Sequence, residues 1–278
     1  MKGKKTWSQL SEDLGIKTYI IKDCALSGNT IPKNLYDKIR TKETDKFVID
    51  ILDDNWGRKK GGENSIGSVN LIKFPKKNER LAEFFGIMLG DGNIYVQKKT
   101  GNYQIRIAFN GDERSYIDYV NELFYNLFKI RMYEKRHVKA NCIYLCCSNR
   151  ETVKFLDTLG FTDGNKISNR LEIPQWIKGN KKFLKACIRG LIDTDGSIHR
   201  LSNKDPNLKR ISFKNKNQRL LSDMRDAFLK LGFNPSKVTY GNIFLTRKAD
   251  IEKYINDIGF GNYKNIKRSI ELSPIVAP

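Results

Sequence analysis

A pattern that occurs twice decides the fold: Phe84-Phe85-Gly86-Ile87-Met88-Leu89-Gly90-Asp91-Gly92 and Ile188-Arg189-Gly190-Leu191-Ile192-Asp193-Thr194-Asp195-Gly196. Each stretch is an apolar run with two small residues four positions apart, followed by Asp-Gly. Small residues at i and i+4 share one helix face and let two helix backbones approach closely. Glycine is a natural residue just past a helix end. The pattern therefore predicts a tight helix pair with one carboxylate at the end of each helix.

The similarity extends well beyond these two stretches. A constant offset of 104 positions carries Asp91 onto Asp195. The same offset relates four further pairs of identical residues: Ile107 and Ile211, Phe109 and Phe213, Phe124 and Phe228, Leu127 and Leu231. A register held over some forty residues indicates an internal duplication. Two copies related by a pseudo-twofold axis would bring their carboxylates together.

The composition points to a polyanionic partner. The chain has 278 residues, a formal charge of +20 and a pI near 9.7, and surfaces this basic most commonly bind nucleic acid. No apolar run is long enough for a membrane span, and no secretory signal is visible. Five cysteines without a CxxC pair and only two histidines disfavour a zinc site. We expect a reducing, intracellular (cytoplasmic) compartment and no membrane partner.

Residues 1–56 are predicted to form a small all-α domain of short helices. Gly15 and the turn before Ile31-Pro32 separate helix candidates in the manner of a helix-turn-helix. The stretch resembles Cro- and repressor-type helix-turn-helix domains, which implies DNA binding, whereas a purely structural three-helix cap is the alternative. Residues 57–78 are rich in Gly and Lys and are predicted to be a basic linker.

Each repeat is predicted to run helix, two strands, helix, two strands, helix. The first repeat spans residues 79–178 and the second spans residues 179–278. The strands predicted for the second repeat are Ser197–Leu201, Lys209–Phe213, Lys237–Tyr240 and Ile243–Thr246.

The paired carboxylates predict a metal site. Two acids near each other and near the negative ends of helix dipoles repel one another, and a divalent cation relieves that repulsion. Oxygen ligands completed by a substrate phosphate suit Mg²⁺, with Mn²⁺ as the alternative ion. Such a site supports metal-assisted phosphodiester hydrolysis.

The second stretch resembles the LAGLIDADG signature of homing endonucleases, and the first resembles a more divergent copy. The resemblance covers roughly residues 79–270 and includes Ile173-Pro174-Gln175-Trp176-Ile177, which is similar to the segment joining the halves of single-chain members. It implies an α+β fold of two pseudo-symmetric αββαββα repeats, whose eight strands form saddle-shaped antiparallel sheets in the DNA major groove, preceded here by the helix-turn-helix domain.

The resemblance also implies residue roles. The metal-binding acids fall on Asp91 and Asp195, with Gly90 and Thr194 beside them at the metal site. The earlier acid of the family motif is Leu89 in the first copy and Asp193 in the second. Members often carry a basic catalytic residue near the end of each half, and that position nominates Lys166 and Lys264, with Lys267 as a fallback.

Polar residues that follow each motif are the candidates for reading DNA. Arg, Asn and Gln side chains can recognise base edges, whereas Lys mostly contacts phosphate. For any single residue, a solvated sheet face is the alternative. The candidates are Gln97, Lys99, Gln104 and Arg106 in the first half, and Arg200, Asn203, Lys209 and Arg210 in the second.

The sequence thus predicts a monomeric, metal-dependent endonuclease that cuts both strands of a long, asymmetric DNA target. Two alternatives stay open at this stage. One is a transcription regulator of the same fold that binds DNA without cutting it. The other is an RNA maturase that assists splicing, whose partner would be intron RNA.

Overall fold

The computed structural model describes residues 5–26, 30–53, 55–64, 74–201 and 208–271. The chain divides into two compact units, Met1–Ser68 and Val69–Pro278, and the division falls inside the stretch predicted as a linker. None of the helices in the described ranges is long and apolar enough to cross a membrane.

Within its described residues, the N-terminal unit contains four α-helices, α1 (Trp7–Leu14), α2 (Thr18–Leu26), α3 (Lys33–Ile39) and α4 (Trp56–Asn64), and a short 3₁₀ helix (Thr44–Phe47). A capping box between Thr6 and Gln9 starts α1, and Gly15 ends it with a left-handed φ of 59°. A small apolar cluster of Leu10, Ile16, Ile21 and Leu35 holds the first three helices together. The fourth helix occupies residues that the sequence predicted as the start of a linker.

The second unit begins with one repeat of the predicted pattern. Its elements are α5 (Glu79–Gly90), β1 (Gly92–Gln97), β2 (Asn102–Asn110), α6 (Arg114–Phe128), β3 (Tyr133–Arg136), β4 (Cys142–Cys147) and α7 (Arg150–Thr158). A short helix, α8 (Gln175–Lys178), leads into the second repeat. Its elements are α9 (Lys181–Asp195), β5 (Gly196–Arg200), β6 (Lys209–Lys214), α10 (Gln218–Lys230), β7 (Asn242–Leu245), α11 (Lys248–Asp257) and α12 (Tyr263–Glu271).

The two motif helices, α5 and α9, pack against each other with their backbones in contact. A Cβ added at Gly86 would lie 2.2 Å from the Cys187 carbonyl oxygen, and one added at Gly190 would lie 2.4 Å from the Glu83 carbonyl oxygen. Both distances are far shorter than any real Cβ contact. Only glycine therefore fits at these two positions, which explains the small residues that the sequence spaces four positions apart.

Both sheets are antiparallel and alternate in polarity, so one face packs on helices and the other is polar. The first sheet has the strand order β1-β2-β4-β3, and the second has the order β5-β6-β7. Side chains such as Ile107, Ile211 and Phe213 point into a core that both repeats share. The predicted α+β class with antiparallel sheets is confirmed.

The prediction of eight strands is wrong for the described residues, because Lys237–Tyr240 is not a strand. This segment meets β7 at only two places, an isolated bridge between Thr239 and Asn242 and a hydrogen bond from the Ser236 amide to the Phe244 carbonyl of 2.9 Å. The Ser236 hydroxyl also accepts the Phe244 amide, where a strand would offer a carbonyl. Regular strand pairing between this segment and β7 therefore does not continue beyond the turn that joins them. The last helix, α12, was not predicted.

Candidate active site

The two motif acids lie at the adjoining ends of the helix pair. Asp91 caps the C-terminus of α5, and Asp195 is the last residue of α9. A Cβ built on Gly90 would fall 2.0 Å from Thr194 Oγ1 and 3.5 Å from Asp195 Oδ2. The helix ends are thus in direct contact, and the predicted pairing of the two carboxylates follows from it.

Both carboxylates are energetically strained by their surroundings. Burial raises the pKa of Asp91 to about 7, and the negative charge of the neighbouring Asp195 is the second cause of this rise. Burial also raises the pKa of Asp195. The Asp91 side chain is exposed to solvent although many protein atoms surround it. We attribute this to a concave site whose floor water still reaches, which is the environment that a bound cation needs.

Lys166 is a basic group whose charge acts on both acids. Its ammonium donates hydrogen bonds to the last carbonyls of α5, at 3.0 Å to Leu89 and also to Gly90. Desolvation lowers the pKa of Lys166, and the charges of Asp195 and Asp91 oppose that shift. The side chain therefore neutralises the negative end of the α5 dipole at the point where both acids converge.

Lys264, the other predicted basic residue, has a different partner. Its ammonium donates to Glu113 Oε1 at 2.7 Å, at the N-terminal end of α6 in the opposite half. Glu113 raises and Lys264 lowers the pKa of Asp91, so both charges act on that acid from a distance.

Asp195 differs from Asp91 in having a direct hydrogen-bond donor within the part of the chain that the structure describes. Asn215 donates to Asp195 Oδ2 at 2.7 Å, which lowers the pKa of this acid against the effect of burial. The residue 104 positions earlier is Gly111, which has no side chain to offer. Among the described residues, no hydrogen bond reaches the Asp91 carboxylate.

The other motif acid, Asp193, anchors the end of the second half. It is 4% exposed, and its carboxylate accepts hydrogen bonds from the Gly261 amide at 2.6 Å and from Asn265 at 3.3 Å. Burial raises the pKa of Asp193 to about 7. The role of Asp193 is therefore to position the segment that carries Lys264.

Arg189 has a buried partner across the helix pair. Its guanidinium makes two hydrogen bonds to Glu83, one of them 3.0 Å long, and Glu83 is only 2% exposed. The Tyr119 hydroxyl donates to the same carboxylate at 2.6 Å. A buried carboxylate with these donors is satisfied, so the arginine fits the interface.

The predicted DNA-reading residues of the first half share one surface. Gln97, Gln104 and Arg106 lie on the polar face of the first sheet, and Lys99 lies in the turn between β1 and β2. Gln104 donates to the Tyr133 hydroxyl at 2.8 Å, and Arg106 donates to Gln104 at 2.7 Å. These contacts hold the side chains in place before any ligand binds.

The second half divides its candidates between the two sheet faces. Arg210 lies on the polar face, with its guanidinium 4.2 Å from the Phe244 ring centroid. Arg200 and Lys209 lie opposite each other in the register of β5 and β6, on the sheet face that helices cover. Arg200 donates to the Glu271 carbonyl of α12 at 3.0 Å. Asn203 lies outside the described residues.

The donor set fits a hard divalent cation that completes its shell from elsewhere. Asp91 and Asp195 provide carboxylate oxygens that repel each other, which a cation would relieve. The described residues contain no cluster of three or more His, Cys, Asp or Glu side chains able to hold a metal ion. Water and a substrate phosphate would therefore have to supply the remaining ligands. The Lys166 ammonium donates to the Gly90 carbonyl, which leaves one lone pair of that oxygen for another partner.

Comparison with known proteins identifies the second repeat. Residues 182–259 match the family described as LAGLIDADG-like domain. The resemblance noted in the sequence is thereby confirmed, and the matched residues include all but the first residue of α9, with Asp195, and the three strands β5, β6 and β7.

Curated relatives share only part of their length with this chain. One is the replication factor C small subunit of Methanocaldococcus jannaschii, 28% identical over 206 residues, which are 70% of this chain and 10% of that protein. Another is an uncharacterised protein of the same organism, 27% identical over 200 residues, which are 69% of this chain and 62% of that protein. The chain thus spans less than two thirds of either relative.

Among solved structures, two homing endonucleases match this chain over part of its length. Variants of I-DmoI match with 20% identity and a TM-score of 0.47, over 65% of this chain and 95% of theirs. I-WcaI bound to its DNA recognition sequence matches with 13% identity and a TM-score of 0.47, over 83% of this chain and 98% of that one.

Proposed function

We propose that this protein is a site-specific DNA endonuclease that depends on a divalent cation and cuts both strands of a long, asymmetric target. The observation that carries the proposal is the convergence of Asp91 and Asp195 at the ends of two duplicated helices, in a concave site that solvent reaches. The LAGLIDADG-like match over the second repeat supports the same chemistry.

Asp91 and Asp195 would hold the cation, with Mg²⁺ or Mn²⁺ as the ions that suit carboxylate and phosphate oxygens. A cation bound there would supply Lewis-acid activation of the scissile phosphodiester. The Gly90 and Thr194 backbones lie beside both acids and limit how far the carboxylates can separate.

Lys166 would act in the transition state through its charge. Its ammonium lies where the acids converge, so it can stabilise negative charge that develops on the phosphate. Lys264 would act more indirectly, because Glu113 holds it away from the acids. A substrate phosphate would have to compete with Glu113 before Lys264 could contribute.

The polar faces of the two sheets would contact the DNA. Gln104, Arg106 and Arg210 offer the donors that read base edges, and Gln97 and Lys99 would extend the contact along one strand. Because the two halves carry different side chains, a single chain would fit an asymmetric site as a monomer. The N-terminal helices would add backbone contacts outside the cut site if they bind DNA as a helix-turn-helix.

The decisive experiment is incubation of the full chain with a library of random duplex sites, with Mg²⁺ and with EDTA. Mg²⁺-dependent recovery of one family of cut sites, with breaks in both strands, is the expected result. Selective binding without breaks in either condition would instead favour the regulator of the same fold. Absence of selective duplex binding, together with binding to an intron RNA, would favour the maturase.

A further inference from the structure

A cleft of about 740 Å³ adjoins Asp195 and Lys166, and its wall includes Lys214, Lys216 and Tyr240. Both Lys214 and Lys216 are exposed, and no ion pair involves them within the described ranges. Two unpaired ammonium groups beside a catalytic acid make a surface that favours an anion.

The corresponding wall of the first half has the opposite charge. The 104-residue offset carries Lys214 onto Asn110 and Lys216 onto Asp112. Asn141 donates to the side chains of both residues, at 3.2 Å and 2.9 Å, so these groups are already bonded to the protein. The first half therefore offers an acid and a closed hydrogen-bond network where the second offers two free cations.

Tyr240 adds an aromatic surface to the same wall. Its side chain is 96% exposed, although the backbone that carries it is well fixed. The Asn215 amide donates to the Gly241 carbonyl at 3.0 Å, and Asn242 donates to the Tyr240 carbonyl at 2.8 Å. Because the Gly111 amide bonds the Asn141 carbonyl in the same way in the first half, Tyr240 corresponds there to Ala140.

We propose that Lys214, Lys216 and Tyr240 form a subsite for the sugar-phosphate backbone of one DNA strand, with no equivalent for the other strand. The two lysines bind backbone phosphate, and the tyrosine ring packs on the adjoining sugar. The proposal rests on the function proposed above, and it adds that the two strands are held unequally. The strand in the subsite is positioned more firmly and is cut faster than its partner.

A strand-resolved cleavage assay tests this inference. The substrate is the duplex recovered from the library, labelled with a different fluorophore on each strand, and the variant is Lys214→Gln/Lys216→Gln. We expect cleavage of one strand to slow about tenfold, as for lost charged hydrogen bonds, while the other changes little. Nicked duplex should then accumulate. Equal slowing of both strands, or of neither, would overturn the proposal.

The matched control is Lys181→Gln/Lys182→Gln, which removes the same charge at the opposite end of α9 from Asp195. It should leave both strand rates unchanged. Tyr240→Ala introduces the residue that the first half has at the corresponding position. It should slow cleavage of the same strand as the lysine variant, but less strongly. All these positions are exposed, so folding should persist, and circular dichroism can verify that it does.

A binding arm separates failure of the subsite from failure of the proposed function. Affinity for an arbitrary 30-base-pair duplex is measured against salt without metal. Each lost phosphate contact lowers the slope of log K on log salt by about one. The subsite variant should lower the slope by one to two, and the control should not. If the wild type cuts no DNA, the function fails, and the slope alone decides the subsite: an unchanged slope overturns it.

Discussion

The two halves of the second unit secure the C-terminal segments near their motif helices by different means. In the first half, the apolar Leu89 leaves no carboxylate, and the Lys166 ammonium binds the backbone carbonyls at the end of α5. In the second half, the Asp193 carboxylate binds the Gly261 amide and Asn265, so no lysine is needed there. In one half a lysine binds the helix carbonyls, and in the other an aspartate of the helix binds the segment. Lys166 and Lys264 therefore need not lie at equivalent positions.

The same difference extends to the middle helices. Asn217, at the start of α10, donates to the Leu171 carbonyl of the first half at 2.7 Å. Glu113 holds the corresponding place on α6 and binds Lys264 of the second half. Each half thus clamps the end of the other, through a neutral amide on one side and a charged pair on the other. A mutation in one half should therefore not have the same effect as its counterpart.

The largest effect is expected from the two acids that the halves keep in common. Asp91→Asn and Asp195→Asn should each slow cleavage by a factor of about 100 or more, since each removes an anionic ligand of the cation that activates the phosphodiester. Affinity for target DNA should remain within a few-fold of the wild type. Asp112→Asn, which alters a nearby acid outside the motif, is the control. Cleavage of both strands by either motif variant at the wild-type rate would contradict the assigned site.

The next effect concerns the helix pair that joins the halves. Gly86→Ala and Gly190→Ala both place a methyl group against the backbone of the opposite helix, so neither contact can be relieved by rotating a side chain. Overpacking of this kind costs about 1–3 kcal/mol, measured by urea unfolding. Gly57→Ala is the control, because its methyl would meet nothing within 4 Å and α4 should be slightly stabilised. Unfolding midpoints equal to the wild type for both variants would mean that the helices are less closely packed than described.

The internal repeat in the sequence was enough to predict three features: the close packing of this helix pair, the two acids and the α+β architecture that both halves share. Residues without a repeated partner were missed. Asn215 lies 104 positions after a glycine, and the Glu83 carboxylate reaches Arg189 only through the folded interface. The absent strand at Lys237–Tyr240 has the same origin, since its composition favours a strand but the Ser236 hydroxyl takes the place of a ladder carbonyl. When one hydrogen-bond partner replaces another in this way, the periodic pattern of apolar and polar residues in the sequence does not change.

A smaller effect is expected on the pH dependence of stability, and it should distinguish the Asp193 anchor of the second half from the Lys166 anchor of the first. Asp193 has a pKa of about 7 in the folded chain and 3.8 as its ordinary value, so between these values only the folded state holds the proton. Stability therefore falls as pH rises from about 4 to about 7 and then levels off. Asp193→Asn should flatten this decline in thermal unfolding midpoints, although Asp91 and Asp195 will leave part of it.

Asp163→Asn is the control for the pH measurement, since this exposed residue lies in the equivalent loop of the first half. It should leave the decline unchanged. A decline that survives in full in Asp193→Asn would show that the anchor of the second half does not titrate in this range, and that the two anchors are electrostatically alike.

The smallest effect is expected from the hydrogen bond that only Asp195 receives. Asn215→Ala removes the donor 2.7 Å from Asp195 Oδ2, so the pKa of this acid should rise further. Because the cation needs the ionised carboxylate, the cleavage rate should reach half of its maximum at a higher pH, and the rate below that point should fall about fivefold. Asn141→Ala removes a surface amide that touches neither acid and should not move the profile. If Asn215→Ala also leaves the profile in place, Asp91 alone sets the pH dependence, and the half without a hydrogen-bond donor controls the reaction.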